Sequence, residues 1–216
     1  MDFVLSDIEA RVLGSLLEKS LTTPDYYPLS LVALTTACNQ KSNRDPLVNF
    51  DETTVVRALD SLKEKRLAVQ GDASRVPKYA ETLVNRFNLL GHEAAILMVL
   101  LLRGAQTVGE IRTRSERAHQ FDDIGAVELA LDEMIEAGYA IKLPRQAGRK
   151  EPRYAHLLSG EPDLTEVWAT ARPEAATLTV RNEADRIDAL GSEVDRLQTE
   201  LNQLRAEFDR FKHQFE

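Results

Sequence analysis

The sequence predicts a mainly α-helical chain with small β-hairpins (α+β class), made of two tandem domains of one type and a C-terminal coiled-coil-like helix. The first observation is an internal repeat: Ala-Leu-Asp at 58–60 recurs at 130–132, and Pro-Lys-Tyr-Ala at 77–80 recurs as Pro-Arg-Tyr-Ala at 152–155. The second is the helical spacing of apolar residues behind capping boxes. The third is an unbroken heptad seam that starts at Ile187. The predicted segments are domain 1 at 1–89, domain 2 at 90–160, a linker at 161–182 and an amphipathic helix at 183–216.

The first copy contains three predicted helices followed by a hairpin. A capping box at Ser6 opens helix one, Pro28 suits the start of helix two, and Asp51 caps helix three. The other predicted segments are helix two near 29–38, a polar loop at 39–50, a strand near 67–70 and a return strand near 76–80.

The second copy repeats this order. A capping box at Thr107 opens helix two, and Gly138 is a natural left-handed stop for helix three. Helix, helix, helix, strand, turn, strand is the winged-helix pattern, in which the hairpin closes a three-helix bundle. Pro77 and Pro152 predict that each return strand is a sheet edge. The predicted segments are helix one near 91–102, helix three near 122–137, a strand at 139–144, a turn at 146–149 and a return strand at 152–158.

Four separated motifs also resemble a known family. They are Thr-Pro-Asp-Tyr-Tyr-Pro-Leu-Ser at 23–30, Ala-Cys-Asn-Gln-Lys-Ser-Asn-Arg-Asp-Pro at 37–46, Leu-Leu-Arg-Gly-Ala-Gln-Thr at 101–107 and Arg-Tyr-Ala-His-Leu at 153–157. Together they resemble the YceH family of bacterial proteins, over about Leu5 to Gly160. The resemblance implies a tandem winged-helix fold, and it implies no activity and no functional residues.

The 216 residues carry a net charge of -8, and the excess acid is concentrated near the C-terminus. Residues 161–216 hold 7 basic and 13 acidic side chains, whereas 1–89 and 90–160 are each at -1. Local basic clusters in the two domains can therefore still attract an anion. The lone Cys38 excludes an internal disulfide and a thiolate zinc site. The absence of a long apolar run and of a basic leader predicts a soluble, cytoplasmic protein without a membrane span or signal peptide.

The C-terminal helix carries apolar residues spaced alternately by three and four. This seam favours a parallel homodimeric coiled coil, in which Glu200 faces Arg205 and Glu207 faces Lys212 of the second copy. The alternative is an amphipathic helix that folds back on its own domains. The seam residues are Ile187, Leu190, Val194, Leu197, Leu201, Leu204, Phe208, Phe211 and Phe215.

The third helix of a winged-helix domain commonly enters the major groove, so its outer face should carry Arg, Lys, Asn or Gln. In copy one that face holds Arg57 beside Asp60 and Glu64. In copy two it holds Leu129, Glu133 and Glu136, and the whole helix lacks Lys and Arg. We expect helix three of copy two to stay out of a DNA groove, because its acidic side chains would repel phosphates, and to offer a protein interface.

Basic residues cluster instead in the loops and wings, which can contact phosphate or the minor groove. The alternative is that charged hairpins are solvated and keep a strand from aggregating. The candidate nucleic-acid or partner contacts are Lys41, Asn43, Arg44, Arg57, Arg75, Lys78, Arg112, Arg114, Lys142, Arg145, Arg149, Lys150 and Arg153.

The leading hypothesis is a non-enzymatic dimer that contacts DNA through wings and loops in gene regulation. The alternative is a protein–protein adaptor that uses the acidic third helix of domain 2 and the coiled coil, with no direct nucleic-acid role. No catalytic, cofactor or metal residues are assigned, because the four histidines are scattered and no phosphate-binding glycine loop occurs. Cys38 lies on an apolar stretch, which favours a buried side chain over a reactive thiol. The discriminating feature is whether the wing arginines and Lys41 with Arg44 form one positive surface.

Overall fold

The structure is a computed structural model that describes residues 3–71, 76–146, 148–165 and 167. All of them belong to the first of two compact units, Met1–Ala171, and the second unit is Arg172–Glu216. The predicted heptad helix lies outside the described residues, as does most of the predicted linker. The described part is mainly helical with small antiparallel sheets, which confirms the predicted fold class.

The first half contains four helices and a three-stranded sheet. Between α1 and β1 the chain makes a short 3-10 turn at Pro24–Tyr26. The elements are α1 (Asp7–Thr22), β1 (Leu29–Ser30), α2 (Leu31–Cys38), α3 (Glu52–Glu64), β2 (Ala68–Gly71), β3 (Lys78–Glu81) and α4 (Leu83–Phe87).

The second half repeats three helices and a hairpin, in the same order along the chain. The predicted left-handed stop is confirmed, because Gly138 has a φ of 76° just after the third of these helices. The elements are α5 (Gly91–Arg103), α6 (Val108–Ser115), α7 (Ile124–Glu136), β4 (Ala140–Lys142) and β5 (Tyr154–His156).

The predicted capping boxes start α1 and α6. The Ser6 hydroxyl accepts a hydrogen bond from the Glu9 amide, and the Glu9 carboxylate accepts one from the Ser6 amide at 2.7 Å. Thr107 and Glu110 make the same reciprocal pair on α6. Each box satisfies amides that the first helical turn leaves without a carbonyl, and so fixes where the helix begins.

The expectation that Pro28 starts the second helix is wrong. Leu29 and Ser30 are extended and pair with Tyr79 and Lys78 as strand β1, so the helix begins two residues later than predicted. The Ser30 hydroxyl accepts from the Ala33 amide at 3.3 Å and is the true cap. Leu29 and Ser30 are extended because strand β3 supplies their hydrogen-bond partners, which the local sequence does not reveal.

The expectation that the return strands are sheet edges is wrong for β3, whereas β5 is an edge strand of a two-stranded sheet apart from one bridge at Tyr154. Strand β3 is central in the order β1-β3-β2. Strand β5 pairs with β4, and on its other side Tyr154 exchanges two backbone hydrogen bonds with Gln106, at 2.7 and 2.9 Å. Pro77 and Pro152 lie just before the strands, so neither removes an amide from the ladder.

Helices α1 and α5 bring the two halves together in one continuous apolar core. Their crossing depends on Gly14, because a Cβ there would lie 3.0 Å from Leu101 Cβ and 3.0 Å from Leu102 Cδ2. The Leu5 amide also donates to the Leu158 carbonyl at 2.8 Å, which ties the start of the first half to the end of the second. Residues on either half therefore have fixed positions relative to one another within this unit.

In the part of the chain described, none of the helices combines the length and apolar character that a bilayer crossing requires.

Candidate functional site

The second hairpin carries four of the predicted basic contacts near its tip. Lys142 is the last residue of β4, and its ammonium lies 5.6 Å from the centre of the Tyr154 ring. Arg145 and Lys150 are exposed beyond the strands, and Arg149 is half-buried with its amide donating to the Gln146 carbonyl at 3.0 Å. The hairpin therefore presents a group of positive charges at its free end.

Arg153 belongs to the base of this hairpin rather than to its surface. One guanidinium nitrogen donates to the Ala105 carbonyl at 2.8 Å and to a Glu110 carboxylate oxygen at 2.7 Å. Both side chains of the ion pair are almost entirely buried. Its burial and charge partner indicate a structural role, which anchors the hairpin to the start of α6.

Glu110 connects that anchor to the basic face of α6. Its second carboxylate oxygen lies 3.5 Å from the Arg114 guanidinium, one helical turn along. Arg112, on the same helix, donates to the Asp122 carbonyl at 3.0 Å and so supports the connection to α7. Arg112 thus stabilises the chain between α6 and α7, whereas Arg114 lies near the C-terminal end of α5.

The loop between α2 and α3 is held from inside by buried arginines. Arg44 is 4% exposed, and it donates to the Ala37 and Asn43 carbonyls and to Glu18. Arg11, also buried, donates to the Cys38 and Pro46 carbonyls. Arg44 therefore organises the loop and offers no group to an external partner, in contrast to what its sequence context suggests.

Ionisation of Glu18 follows from the same contacts. Burial by itself raises the pKa of the Glu18 carboxyl, but the hydrogen bonds and charge of Arg44, together with Lys19 at 3.1 Å, outweigh burial and lower the pKa below its usual range. The carboxylate stays charged and paired. The tripeptide from Lys41 to Asn43 is exposed, as are Pro46, Leu47 and Asn49 further along the loop.

Asn43 is where the two halves meet at this end of the molecule. It has a φ of 59°, and its side-chain oxygen accepts from Arg103 at the end of α5, at 2.5 Å. Arg103 in turn faces Arg114: burial first and the Arg114 charge second lower the pKa of its guanidinium. Asn43, Arg103 and Arg114 line one pocket, and the exposed Lys41 lies two residues before Asn43 in the same loop. We call these four residues the basic band.

Arg103 is the residue that sequence reasoning missed. At the C-terminal end of a helix and before Gly104, it is typical of an arginine that complements the helix dipole. Its separation from Asn43 is 60 residues, so no local pattern could connect the two.

The remaining basic candidates do not join the band through any contact described. Arg57 is exposed on α3, and Lys78 is half-buried in β3, where it pairs with Ser30 and Gly71. Arg75 lies outside the described residues. All seam residues of the C-terminal helix, Ile187, Leu190, Val194, Leu197, Leu201, Leu204, Phe208 and Phe211, also lie outside them.

Helix α7 offers a second surface of opposite charge. Leu129 is 63% exposed, and Glu133 and Glu136 are exposed on the same side. Glu133 lies 4.0 Å from the His92 imidazole. This face is the structural counterpart of the protein interface predicted for the acidic helix.

Cys38 lies in the core rather than at a surface site. Cys38 is completely buried, and burial raises the pKa of its thiol despite nearby hydrogen bonding and arginine charge. Within the described ranges, no group of three His, Cys, Asp or Glu side chains could hold a metal ion.

Comparison with known proteins identifies related sequences. Residues 5–149 match the family model described as protein of unknown function, DUF480. A UPF0502 protein of Geobacter sulfurreducens is 56% identical over 219 aligned residues, and one of Geotalea daltonii is 58% identical, each covering all of both chains. A UPF0502 protein of Solibacter usitatus is 52% identical over 90% of this chain and 93% of its own.

Proposed function

We propose that this protein, which belongs to the DUF480 (UPF0502) family of bacterial proteins, binds the phosphate backbone of DNA through two winged-helix domains in tandem. In each half three helices are followed by a hairpin, and a residue just before the second helix pairs with the return strand. Such a topology is typical of winged-helix domains, in which wings and loops reach phosphates. The role is one of binding in gene regulation rather than catalysis.

The observation that carries this proposal is the continuity of the basic band across both halves. Asn43 from the first half and Arg103 from the second are joined by a hydrogen bond. Tyr154, the first residue of β5, pairs with Gln106, three residues after the end of α5, so the second hairpin is attached to the unit near Arg103. A surface of this kind contacts successive phosphates without reading bases, which gives salt-sensitive binding with modest sequence choice.

The acidic face of α7 supports the alternative function of a protein adaptor. Its Leu129 is largely exposed among carboxylates, which suits a partner with a basic, partly apolar surface. The heptad seam of the C-terminal segment would pair two copies of the chain in either case and present two basic bands by symmetry.

The test is fluorescence-anisotropy titration of mixed-sequence duplex DNA at about 50 and 200 mM salt, with the full chain. The test variant is Arg149→Glu with Lys150→Glu in the second hairpin. The control is Lys63→Glu with Arg66→Glu, which changes the charge equally at the end of α3. That end lies beside the start of α1, because Lys65 contacts Glu9, whereas the band lies beside the end of α1.

We expect the intact protein and the control to bind at low salt and to weaken steeply at high salt, and the hairpin variant to lose binding. Equal loss in both variants would show that only overall charge matters and would contradict a role for the hairpin. No binding by the intact chain at low salt would favour the adaptor and direct attention to the α7 face.

A further inference from the structure

A pocket lies beneath the basic band, where α1, the α2–α3 loop, α5 and α6 come together. Its walls include Glu18, Asn43, Leu102, Arg103, Arg114 and Arg117. Apolar side chains of α5 line it together with three arginines, one from α5, one from α6 and one, Arg117, just after α6. The apolar wall lowers the local dielectric, which strengthens any charge interaction inside.

Arginines outnumber carboxylates by three to one in the wall of this pocket. Glu18, the one carboxylate in its wall, is already held by both nitrogens of Arg44. Glu110 lies beside Arg114 and also pairs with Arg153, so its charge is shared between two arginines. Asp45 and Glu110, outside the pocket wall, offset part of the positive charge at Arg103.

The arginines also repel one another. Burial and the charge of Arg114 lower the pKa of Arg103, and Arg44 contributes in the same direction, although Asp45 and Glu110 oppose it. Folding holds these like charges together at a cost, and a bound anion would remove that cost. An anion is what the arrangement accommodates best.

We propose that this pocket binds a phosphoryl group, which Arg103, Arg114 and Arg117 hold and which the Asn43 side chain helps to orient. Guanidinium forks match the oxygens of phosphate in bidentate pairs, and a phosphate carrying nearly two negative charges near pH 7 matches the surplus of positive charge. Arg103 already has its guanidinium fixed by Asn43, so little ordering is needed when the ligand enters.

The phosphoryl group has two possible sources, a small phosphorylated molecule or the backbone of a nucleic acid. Only the second source rests on the proposed function. The first would make the pocket an effector site beside the band, so the two sources predict different behaviour when phosphate and duplex are present together.

The first arm of the test titrates inorganic phosphate into the full ¹⁵N-labelled chain, against chloride at equal ionic strength. The variants are Arg103→Gln and Arg117→Gln, and the control is Arg66→Gln, an exposed arginine at the far end of the unit. We expect about tenfold weaker phosphate binding in each pocket variant and unchanged binding in the control. Arg117→Gln keeps the test valid if Arg103→Gln loosens the loop, because Arg117 is exposed.

The second arm measures duplex binding by the same variants, with and without saturating phosphate at constant ionic strength. If the pocket variants bind phosphate more weakly but still bind the duplex, or if no protein binds the duplex, the pocket is a small-molecule site. If phosphate displaces the duplex, or if only the pocket variants lose duplex binding, the pocket holds a phosphate of the nucleic-acid backbone. Binding of both ligands that is the same in all variants, or no binding of either ligand, overturns the proposal.

Discussion

Arg44, in the loop between α2 and α3, donates to both carboxylate oxygens of Glu18 on α1, with N–O distances of 3.1 and 2.6 Å. The Arg44 side chain is fully buried, and it also donates to the Ala37 carbonyl at the end of α2 and to the Asn43 carbonyl in the loop. The pair joins positions 26 residues apart and fixes the loop that presents Asn43 to Arg103. The basic band thus depends on a buried ion pair that contributes no charge to it.

Replacing Arg44 by methionine should strongly destabilise the fold. The substitution removes the bidentate partner of a buried carboxylate, and such losses cost about 3–5 kcal/mol. Urea unfolding at neutral pH measures the change in free energy. The control is Lys63→Met, which removes the more exposed contact to Asp60 at 2.9 Å and should cost under about 1 kcal/mol. Similar costs for both variants would contradict a structural role for the buried pair.

A larger side chain at Gly14 should disturb the crossing of α1 and α5. In Gly14→Val the Cβ alone meets Leu101 and Leu102 at 3.0 Å, and overpacking of this kind costs about 1–3 kcal/mol or more. Thermal unfolding should show a clearly lower midpoint. Gly109→Ala is the matched control, because nothing lies within 4 Å of a Cβ there and alanine favours the helix. A midpoint that falls equally in the control would rule out close packing as the cause.

Acid stability should depend on Glu9. Burial raises the pKa of its carboxyl, but hydrogen bonds from Lys65, Ser61 and Ser6 outweigh burial and lower the pKa from 4.5 to about 2. As the pH falls, the Glu9 carboxyl therefore binds a proton in the unfolded chain before it does so in the folded protein. The stabilisation is complete above about pH 4.5 and is lost as pH falls toward 2.

The check is the urea midpoint of Glu9→Gln across this pH range. The variant should be less stable at neutral pH and should lose less of its remaining stability on acidification. Glu64→Gln, an exposed substitution at the end of α3, is the control and should follow the wild-type profile. Parallel profiles for all three proteins would show that Glu9 is not the responsible group.

The His156 imidazole should remain neutral at pH values well below the usual pKa of a histidine. Burial lowers the pKa of its imidazole from 6.5 to about 4, and Nδ1 is buried with no hydrogen bond to the described residues. The unfolded chain protonates first here too, so its contribution to stability is present above about pH 6.5 and is lost as pH falls to about 4. NMR titration of the His156 ring protons measures this pKa directly, and a midpoint near 6.5 would contradict the burial.

Local sequence was enough to predict most of the elements. Ser6, Asp51 and Thr107 cap helices where the pattern placed them, since each cap bonds an amide only three residues away. The repeat also gave the order of helices and strands, because both copies bury the same spacing of apolar residues. The start of α2 was not predictable in this way, because it depends on the pairing of β1 with the distant strand β3.

The same distinction between local and long-range information applies to the candidate site. The sequence showed that the third helix of the second half is acidic and that the loops and second hairpin are basic, because charge is a property of each residue. It did not show that Arg44 and Arg153 point inward, since each is buried only because a carboxylate 26 or 43 residues away meets it.

The sequence by itself therefore determined the helices, the caps and the sign of charge on each segment, because these follow from residue identity and spacings of three or four. Only the tertiary structure decided which charges are neutralised inside and which form one surface. The crossing at Gly14 draws the two halves together and places Arg103 beside Asn43, 60 residues apart. Contacts of that range arise from packing of the whole core, and no local pattern encodes them.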